Sequence, residues 1–295
     1  MIDFSGKGQT LLSALWKNTE DRLRQTLIKN PDDLNTLETL GQICRQQGDL
    51  ESAAEAYRRL LSLYPTHQIA RYLHAVFTGT TLPVNSPIVL PWPAPFVRIQ
   101  NFLPQCQRNR LFSLAVENQN AFKPLKVYIP MEEGHVVGKY DSKFRHQVGL
   151  ERSAEVEDII KPRILEILPV ILPRLQVKPF AIGDMVTQLS LCHNGHFGQV
   201  HRDDMDGRTK VSLAYYFHKQ PKAFSGGDLL LYDTDLERRS FNRGKFTQIK
   251  PDDNTLTVYP SGYYHQITRV NCPTDAFEEG RFAIAGHIEA IDECK

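Results

Sequence analysis

The sequence predicts an α+β chain in two unequal parts: a small all-helical segment over residues 1–80, and a β-sandwich, barrel or jelly roll with flanking helices over residues 96–295. Three observations carry this expectation. Apolar residues recur at helical spacing as far as Pro65. Five prolines, at 83, 87, 91, 93 and 95, then break any helix over residues 81–95. From Pro179 onward, short apolar and aromatic runs alternate with Gly, Pro and Asp turns at a spacing of roughly ten residues.

In the first part, Leu11, Leu12, Leu15, Leu23, Leu27 and Ile28 mark a helix over residues 9–29 that stops at Asn30-Pro31. Leu34–Gln47 and Asp49–Tyr64 form a pair separated by Gly48, and His67–Thr78 reads as one more helix. Leu40, Gly41, Gly48, Ala53, Tyr57 and Pro65 fall at the offsets of a 34-residue tetratricopeptide unit, and Pro31 and Pro65 are themselves 34 apart. Cys44 stands where that pattern usually has an aromatic residue. One such unit resembles a tetratricopeptide repeat but cannot bury both its faces alone, so it needs flanking helices, the downstream part or a second subunit.

Residues 81–95 read as an extended Pro-rich linker or an entry strand. Two helical stretches follow, Pro104–Asn118 and Arg152–Leu175, the second expected to be interrupted by its prolines. The strand-like runs are Ile182–Cys192, Thr209–His218, Asp228–Tyr232, Phe246–Ile249, Thr255–Tyr259, Tyr263–Val270 and Phe282–Ile288. The charged stretch Asp233–Arg243 reads as a solvated loop.

Composition excludes several classes. A formal net charge of +1 gives no global field toward nucleic acid or an anionic membrane. No apolar run reaches bilayer-spanning length. The opening MIDFSGKGQT lacks a basic segment followed by an apolar one, so no secretory leader is expected. Five scattered cysteines, none at C-x-x-C spacing, suggest neither a disulfide framework nor a zinc knuckle, and a cytoplasmic location is the expectation.

The sharpest local feature is His201-Arg202-Asp203. Residues at i and i+2 in extended chain point to one side, so an imidazole and a carboxylate there suit one metal ion. A second histidine on a neighbouring strand completes a two-His, one-carboxylate face that leaves open positions on an octahedral metal. Around it, Lys210–Phe217 ends in Tyr215-Tyr216-Phe217, Gly226-Gly227 precedes a strand, and Pro260-Ser261-Gly262 leads to His265. His265 lies 64 residues beyond His201, and Arg281 follows 16 residues later, opening an apolar strand.

In this order the motifs resemble those of the 2-oxoglutarate/Fe(II)-dependent dioxygenases of the prolyl 4-hydroxylase-like superfamily, over roughly residues 95–290. The segment Phe96–Pro104 also looks like the one that opens this domain in many bacterial members. The resemblance implies a double-stranded β-helix, a form of jelly roll. It implies His201, Asp203 and His265 as catalytic iron ligands, and Arg281 with Tyr216 as the groups that bind the distal carboxylate of 2-oxoglutarate. The cofactors implied are Fe(II), 2-oxoglutarate as co-substrate and O2, with room for ascorbate. The activity implied is hydroxylation of an unactivated C–H bond, with a prolyl or other residue of a peptide or protein as the preferred substrate.

Some alternatives stay open in the sequence. Asp204 rivals Asp203, and Tyr215 rivals Tyr216 by one register step; Thr257 and Ser212 are weaker contributors. His193, His196, His218 and His287 read as solvent-facing or as neighbours of the ligands, and Gly226-Gly227 as turn geometry. Three departures from the family pattern stand out: Leu191-Cys192-His193 where many members have a Tyr, His287 where many have Trp, and a longer gap from distal His to Arg that requires a loop over Asn271–Gly280. The competing functions are a non-catalytic helical-repeat and jelly-roll binding protein, a small-molecule hydroxylase, and a cupin-like metal enzyme that does not use 2-oxoglutarate. The helical segment offers a peptide-binding groove, fold support or dimerisation.

Overall fold

A computed structural model describes residues 6–82, 90–130, 136–205 and 207–291. Four helices come first: α1 (Gly6–Lys29), α2 (Leu34–Gln46), α3 (Leu50–Leu63) and α4 (Gln68–Thr78). Next are β1 (Val97–Gln100), α5 (Gln105–Glu117), β2 (Lys123–Pro124), β3 (Val127–Pro130), β4 (Val136–Lys139), β5 (Arg145–His146), β6 (Val148–Gly149) and α6 (Ala154–Ile171). The remaining strands are β7 (Ile182–Cys192), β8 (Phe197–His201), β9 (Thr209–Phe217), β10 (Leu229–Asp235), β11 (Ser240–Ile249), β12 (Thr255–Pro260), β13 (His265–Ile267) and β14 (Arg281–Ala290).

Local chemistry sets the helical ends. Asp33 and Asp49 cap α2 and α3 by accepting hydrogen bonds from the backbone N–H groups of Thr36 and Ser52. Gly41 is required by packing, since a Cβ there would lie 2.7 Å from the Tyr57 ring. This is the close helix approach that the repeat spacing predicts.

The strands form an antiparallel jelly roll. A larger sheet has the order β1-β12-β9-β14-β7-β6-β2, and a smaller one β11-β10-β13-β8-β5. One face of the larger sheet packs on α5 and α6 through Leu111, Leu114, Ile160, Ile164, Leu189, Leu213, Tyr215 and Ile284. The other face of the larger sheet carries Arg281, Ala283, Ala285 and His287 of β14, which pair in register with Cys192, Ser190, Gln188 and Val186 of β7. Among the described residues, no helix is long and apolar enough to cross a membrane.

The helices do not stand apart. Leu37, Tyr57, Leu60, Tyr72 and Leu73 share one apolar cluster with Trp92, Phe96, Leu229, Leu231, Ile249 and Tyr263. Trp92, inside the Pro-rich stretch, exchanges two backbone hydrogen bonds with Thr234 at 3.0 and 2.8 Å. Residues 92–96 are therefore a buried strap between the helices and the smaller sheet.

Two expectations need correction. Helix α6 runs unbroken through Pro162 and Pro169, and the interruption expected within residues 152–175 comes only at Pro173, which opens a 3-10 turn. Each proline removes one backbone donor, but the stripe Val156, Ile160, Ile164, Leu168 and Ile171 is fully buried, and that packing outweighs the local cost. Residues 233–243 are mostly a hairpin and not a loop: Thr234 pairs with Phe241 and Asp235 with Ser240. Asp235 turns the chain by accepting from the N–H groups of Glu237 and Arg238, and Arg239 takes the left-handed conformation at φ 50°.

Candidate active site

His201 ends β8 and His265 opens β13, and the two are direct cross-strand partners in the antiparallel ladder. Directly opposed residues point to the same face. Asp203 lies just past β8, where its backbone N–H donates to the Ser261 carbonyl at 3.1 Å. The Pro260-Ser261 turn thus fixes the chain that carries the carboxylate. Asp203 Oδ1 is 3.6 Å from His201 Nε2, and Asp203 Oδ2 is 3.5 Å from His265 Nε2. Among the described residues, these three form a group whose ligand atoms all lie within 4.8 Å of one another. The same geometry favours Asp203 over Asp204, whose Oδ1 accepts from the Gly207 N–H instead.

The second nitrogen of each imidazole is already engaged. His201 Nδ1 lies 2.7 Å from the Gln199 carbonyl and His265 Nδ1 lies 3.1 Å from the Tyr263 carbonyl. A carbonyl only accepts, so each Nδ1 carries the proton and each Nε2 lone pair is free to bind a metal. Burial pushes His201 down to about 4, with the neighbouring His265 adding to the effect. Burial opposes ionisation of Asp203, yet His265, His287 and His201, with the Ser212 hydroxyl, hold its carboxyl well below the usual carboxylate range. His201 therefore rests as a neutral imidazole and Asp203 as a carboxylate, the protonation states a divalent cation needs.

Arg281 sits at the start of β14 and is 2% exposed. Its guanidinium lies over the Tyr216 ring at 5.3 Å from the centroid, and Nη2 donates to Cys192 Sγ at 3.3 Å. Nε has no partner, and among the described residues no carboxylate forms an ion pair with this buried cation. Gly227 makes room for it: at φ +70°, a Cβ there would meet Arg281 Cδ at 2.7 Å. Tyr216 faces Arg281, whereas Tyr215 lies in the helix-side core and donates to Asn254 Oδ1 at 2.9 Å. That settles the register between the two tyrosines. Thr257 Oγ1 is buried without a partner.

Several residues take positions at the site that the sequence left undefined. Ser212 Oγ donates to Asp203 Oδ2 at 2.6 Å and is 2.9 Å from Ser261 Oγ, so it braces the carboxylate. Tyr259 packs edge-on against His265 with ring centroids 5.0 Å apart. Cys192 occupies the place beside Arg281 where a tyrosine was expected, and His287 Nδ1 comes within 3.6 Å of Asp203 Oδ2. The alternation of β9 and β14 was the signal for Ser212 and His287, and Cys192 was marked only as a departure from the family pattern; nothing in the local sequence marks Tyr259. His193 reaches the Ala276 carbonyl at 3.0 Å, His196 stacks near His146 at 4.3 Å, and His218 reaches the Lys219 carbonyl at 3.0 Å.

Residues 187–289 match the sequence model of the 2OG-Fe(II) oxygenase superfamily. This segment is a 2OG-Fe(II) oxygenase domain. Residues 35–67 match a tetratricopeptide repeat. An uncharacterized PKHD-type hydroxylase of Synechocystis sp. is 28% identical over 240 residues, covering 80% of this chain and 74% of that protein. Among solved structures, a Pseudomonas putida prolyl-4-hydroxylase aligns at 16% identity over 68% of this chain and 94% of its own, with a TM-score of 0.46. A prolyl hydroxylase from Trichoplax adhaerens, solved with a hypoxia inducible factor oxygen degradation domain peptide fragment, aligns at 16% identity over 66% and 83%, with a TM-score of 0.48.

The oxygenase domain makes this chain a dioxygenase that uses Fe(II), 2-oxoglutarate and O2. Its residues fit those groups. Two free Nε2 atoms and a carboxylate suit Fe(II) with positions left open. A buried guanidinium with no carboxylate of its own suits an anionic co-substrate.

Proposed function

We propose that this chain hydroxylates an unactivated C–H bond in a prolyl or other residue of a peptide or protein, with His201, Asp203 and His265 holding the iron. Arg281 then binds the distal carboxylate of 2-oxoglutarate, with the Tyr216 hydroxyl beside it. The observation that carries this reading is the convergence of two free Nε2 atoms on one carboxylate, on a fold that also buries an unpaired arginine. When bound, Fe(II) with 2-oxoglutarate and O2 supplies the oxidising power that turns C–H into C–OH, with succinate and carbon dioxide as the other products.

The chain's own residues do the positioning. Gln199 and Tyr263 carbonyls fix the imidazole tautomers, and Ser212 fixes the carboxylate rotamer. Arg281 anchors the co-substrate away from the metal, so its reactive end is presented in one orientation. Desolvation strengthens this charge pairing, because Arg281 is nearly free of solvent.

The peptide preference rests on the helical part. An open groove of about 580 Å³ lies between α3, α4 and β1, lined by Leu50, Glu51, His74, Phe77 and Arg98 among others and by none of the proposed iron or co-substrate residues, so it would serve as a docking surface apart from the reacting centre. Its mix of apolar and charged walls suits a peptide better than a compact apolar molecule.

The test is an anaerobic titration. Fe(II) plus 2-oxoglutarate should give a visible charge-transfer band with the native protein and none with Asp203→Ala. Succinate release in air, driven by a library of proline-containing peptides, then identifies the substrate. Iron binding without a band would overturn the co-substrate assignment, and the absence of both would leave a binding protein.

A further inference from the structure

We propose that His287 is a positioning residue of the iron site, its Nδ1–H serving as the donor that, with Ser212, holds the Asp203 carboxylate in place. The inference rests on the metal assignment above and concerns a residue that the ligand set does not include.

The register places the two donors together. His287 of β14 pairs directly with Ser212 of β9, so both side chains leave the larger sheet on the same face. Both reach the same atom: Ser212 Oγ lies 2.6 Å from Asp203 Oδ2, and His287 Nδ1 lies 3.6 Å from it. Asp203 itself stands past the end of β8, in the opposite sheet. Two adjacent strands of one sheet thus grip a carboxylate carried by the other.

His287 Nδ1 is buried with no hydrogen-bond partner, although the side chain as a whole is 39% exposed. The exposure therefore belongs to the rest of the ring, and the nitrogen that faces Asp203 is the dry one. A buried ring nitrogen without a partner is costly, and the Asp203 carboxylate is the acceptor beside it. Carboxylate oxygens only accept, so the pairing requires a proton on Nδ1. At 3.6 Å the contact is a few tenths of an ångström longer than a formed hydrogen bond. The χ2 torsion of histidine is broad, and a small ring rotation closes that gap.

The consequence is mechanical. A carboxylate also rotates easily about its own χ2. Ser212 alone leaves Asp203 Oδ2 with spare lone-pair capacity and the group free to swing about one bond. A second donor from the side fixes which oxygen is turned to the metal. Groups that brace a metal ligand in this way typically alter metal affinity by about 10–100-fold when removed.

Three variants decide the matter, with anaerobic Fe(II) dissociation constants and metal-free melting temperatures as readouts. His287→Asn retains an N–H near the Nδ1 position and should bind Fe(II) within about threefold of the native protein. His287→Leu keeps most of the volume without a donor and should bind about tenfold more weakly. His287→Gln moves its amide to the far side of the ring and should behave like Leu; it replaces Leu should that variant not fold. Native affinity in both the Leu and Gln variants would overturn the proposal. So would an Asn variant as weak as Leu at an unchanged melting temperature, since packing and not the donor would then matter. Failure of the native protein to bind Fe(II) would instead sink the metal assignment on which this rests.

Discussion

His201 and His265 face each other across the β8–β13 ladder, with ring centroids 4.3 Å apart and 53° between their planes. Two imidazoles held this close, with a carboxylate at one side, have little to gain from each other until a cation is shared. A divalent metal should therefore stabilise the native protein strongly. At a free metal concentration about 100 times the dissociation constant the gain is about 2.7 kcal/mol, which appears as a rise of several degrees in melting temperature. Removing one imidazole by His265→Ala should abolish the rise with Fe(II) or Mn(II). An equal rise in that variant, measured by scanning calorimetry, would place the metal elsewhere.

Arg281 is a buried cation whose only recorded hydrogen bond among the described residues goes to a thiol. Arg281→Ala should weaken 2-oxoglutarate binding by about 100-fold, the scale of two lost charge-assisted hydrogen bonds. Fe(II) affinity without co-substrate should stay within about threefold, because Arg281 is outside the group of ligand atoms. Arg281→Lys should recover only part of the loss, since an ammonium cannot grip a carboxylate through two parallel bonds. Titration of the charge-transfer band against 2-oxoglutarate reads both effects; unchanged co-substrate affinity in the Ala variant would refute the role.

The iron-site residues were legible because their signals are local: His201 and Asp203 are two residues apart in extended chain, and Pro260-Ser261 marks the turn that His265 follows. The class of the β-rich part followed from turn residues at regular spacing, whereas its strand order is set by long-range pairing. Tyr215 against Tyr216 was not legible, because strand alternation fixes two faces without naming which is inner. Only pairing with Ala283 of β14 turns Tyr216 toward the site. Residues 233–243 misled because charge usually marks a loop, and here Asp233 is buried against Arg45, 188 residues away, while Asp235 is buried by caps within its own turn. Pro162 and Pro169 misled for the opposite reason: a local rule against proline in helices yielded to a buried apolar stripe.

Asp228 carries the clearest pH signature outside the iron ligands. It is 7% exposed, and burial raises it to about 6, against opposing pulls from Lys222, Lys250 and Arg281. Its ordinary value is 3.8, so the folded state holds this proton after the unfolded state has released it. The associated stability is fully present below pH 3.8 and is lost as the pH rises through about 6. Two pKa units amount to about 3 kcal/mol at most. Asp228→Asn removes the ionisation and can still accept from Gln248 Nε2, which now lies 3.0 Å from Asp228 Oδ2. The variant should match the native protein near pH 4 and exceed it by about 1–3 kcal/mol above pH 7. Urea unfolding at the two pH values tests this, and a constant difference would show that Asp228 titrates normally.

Arg45 of α2 and Asp233 of β10 form an ion pair at 2.8 Å with side chains only 1% and 4% exposed, 188 residues apart in sequence. Burial lowers the tendency of Arg45 to stay charged, but the Asp233 carboxylate outweighs it and holds the guanidinium above its ordinary value. Arg45 Nη1 and Asp233 Oδ1 have no further partners, so the pair is incompletely satisfied and its net contribution to stability is small. Breaking it is a different matter, because the remaining charge would be buried alone. Asp233→Ala should destabilise the protein by about 3–5 kcal/mol, while Arg45→Met with Asp233→Leu should stay within about 1 kcal/mol of native or exceed it. The pair joins the helices to the smaller sheet through a shared core, so the single variant should also separate two unfolding steps that the native protein takes together. Circular dichroism at helical wavelengths and fluorescence from Trp92 in a Trp16→Phe background, followed through one urea series, should diverge in Asp233→Ala and coincide in the double variant. Coincident curves in both would mean that the apolar contacts alone couple the two parts.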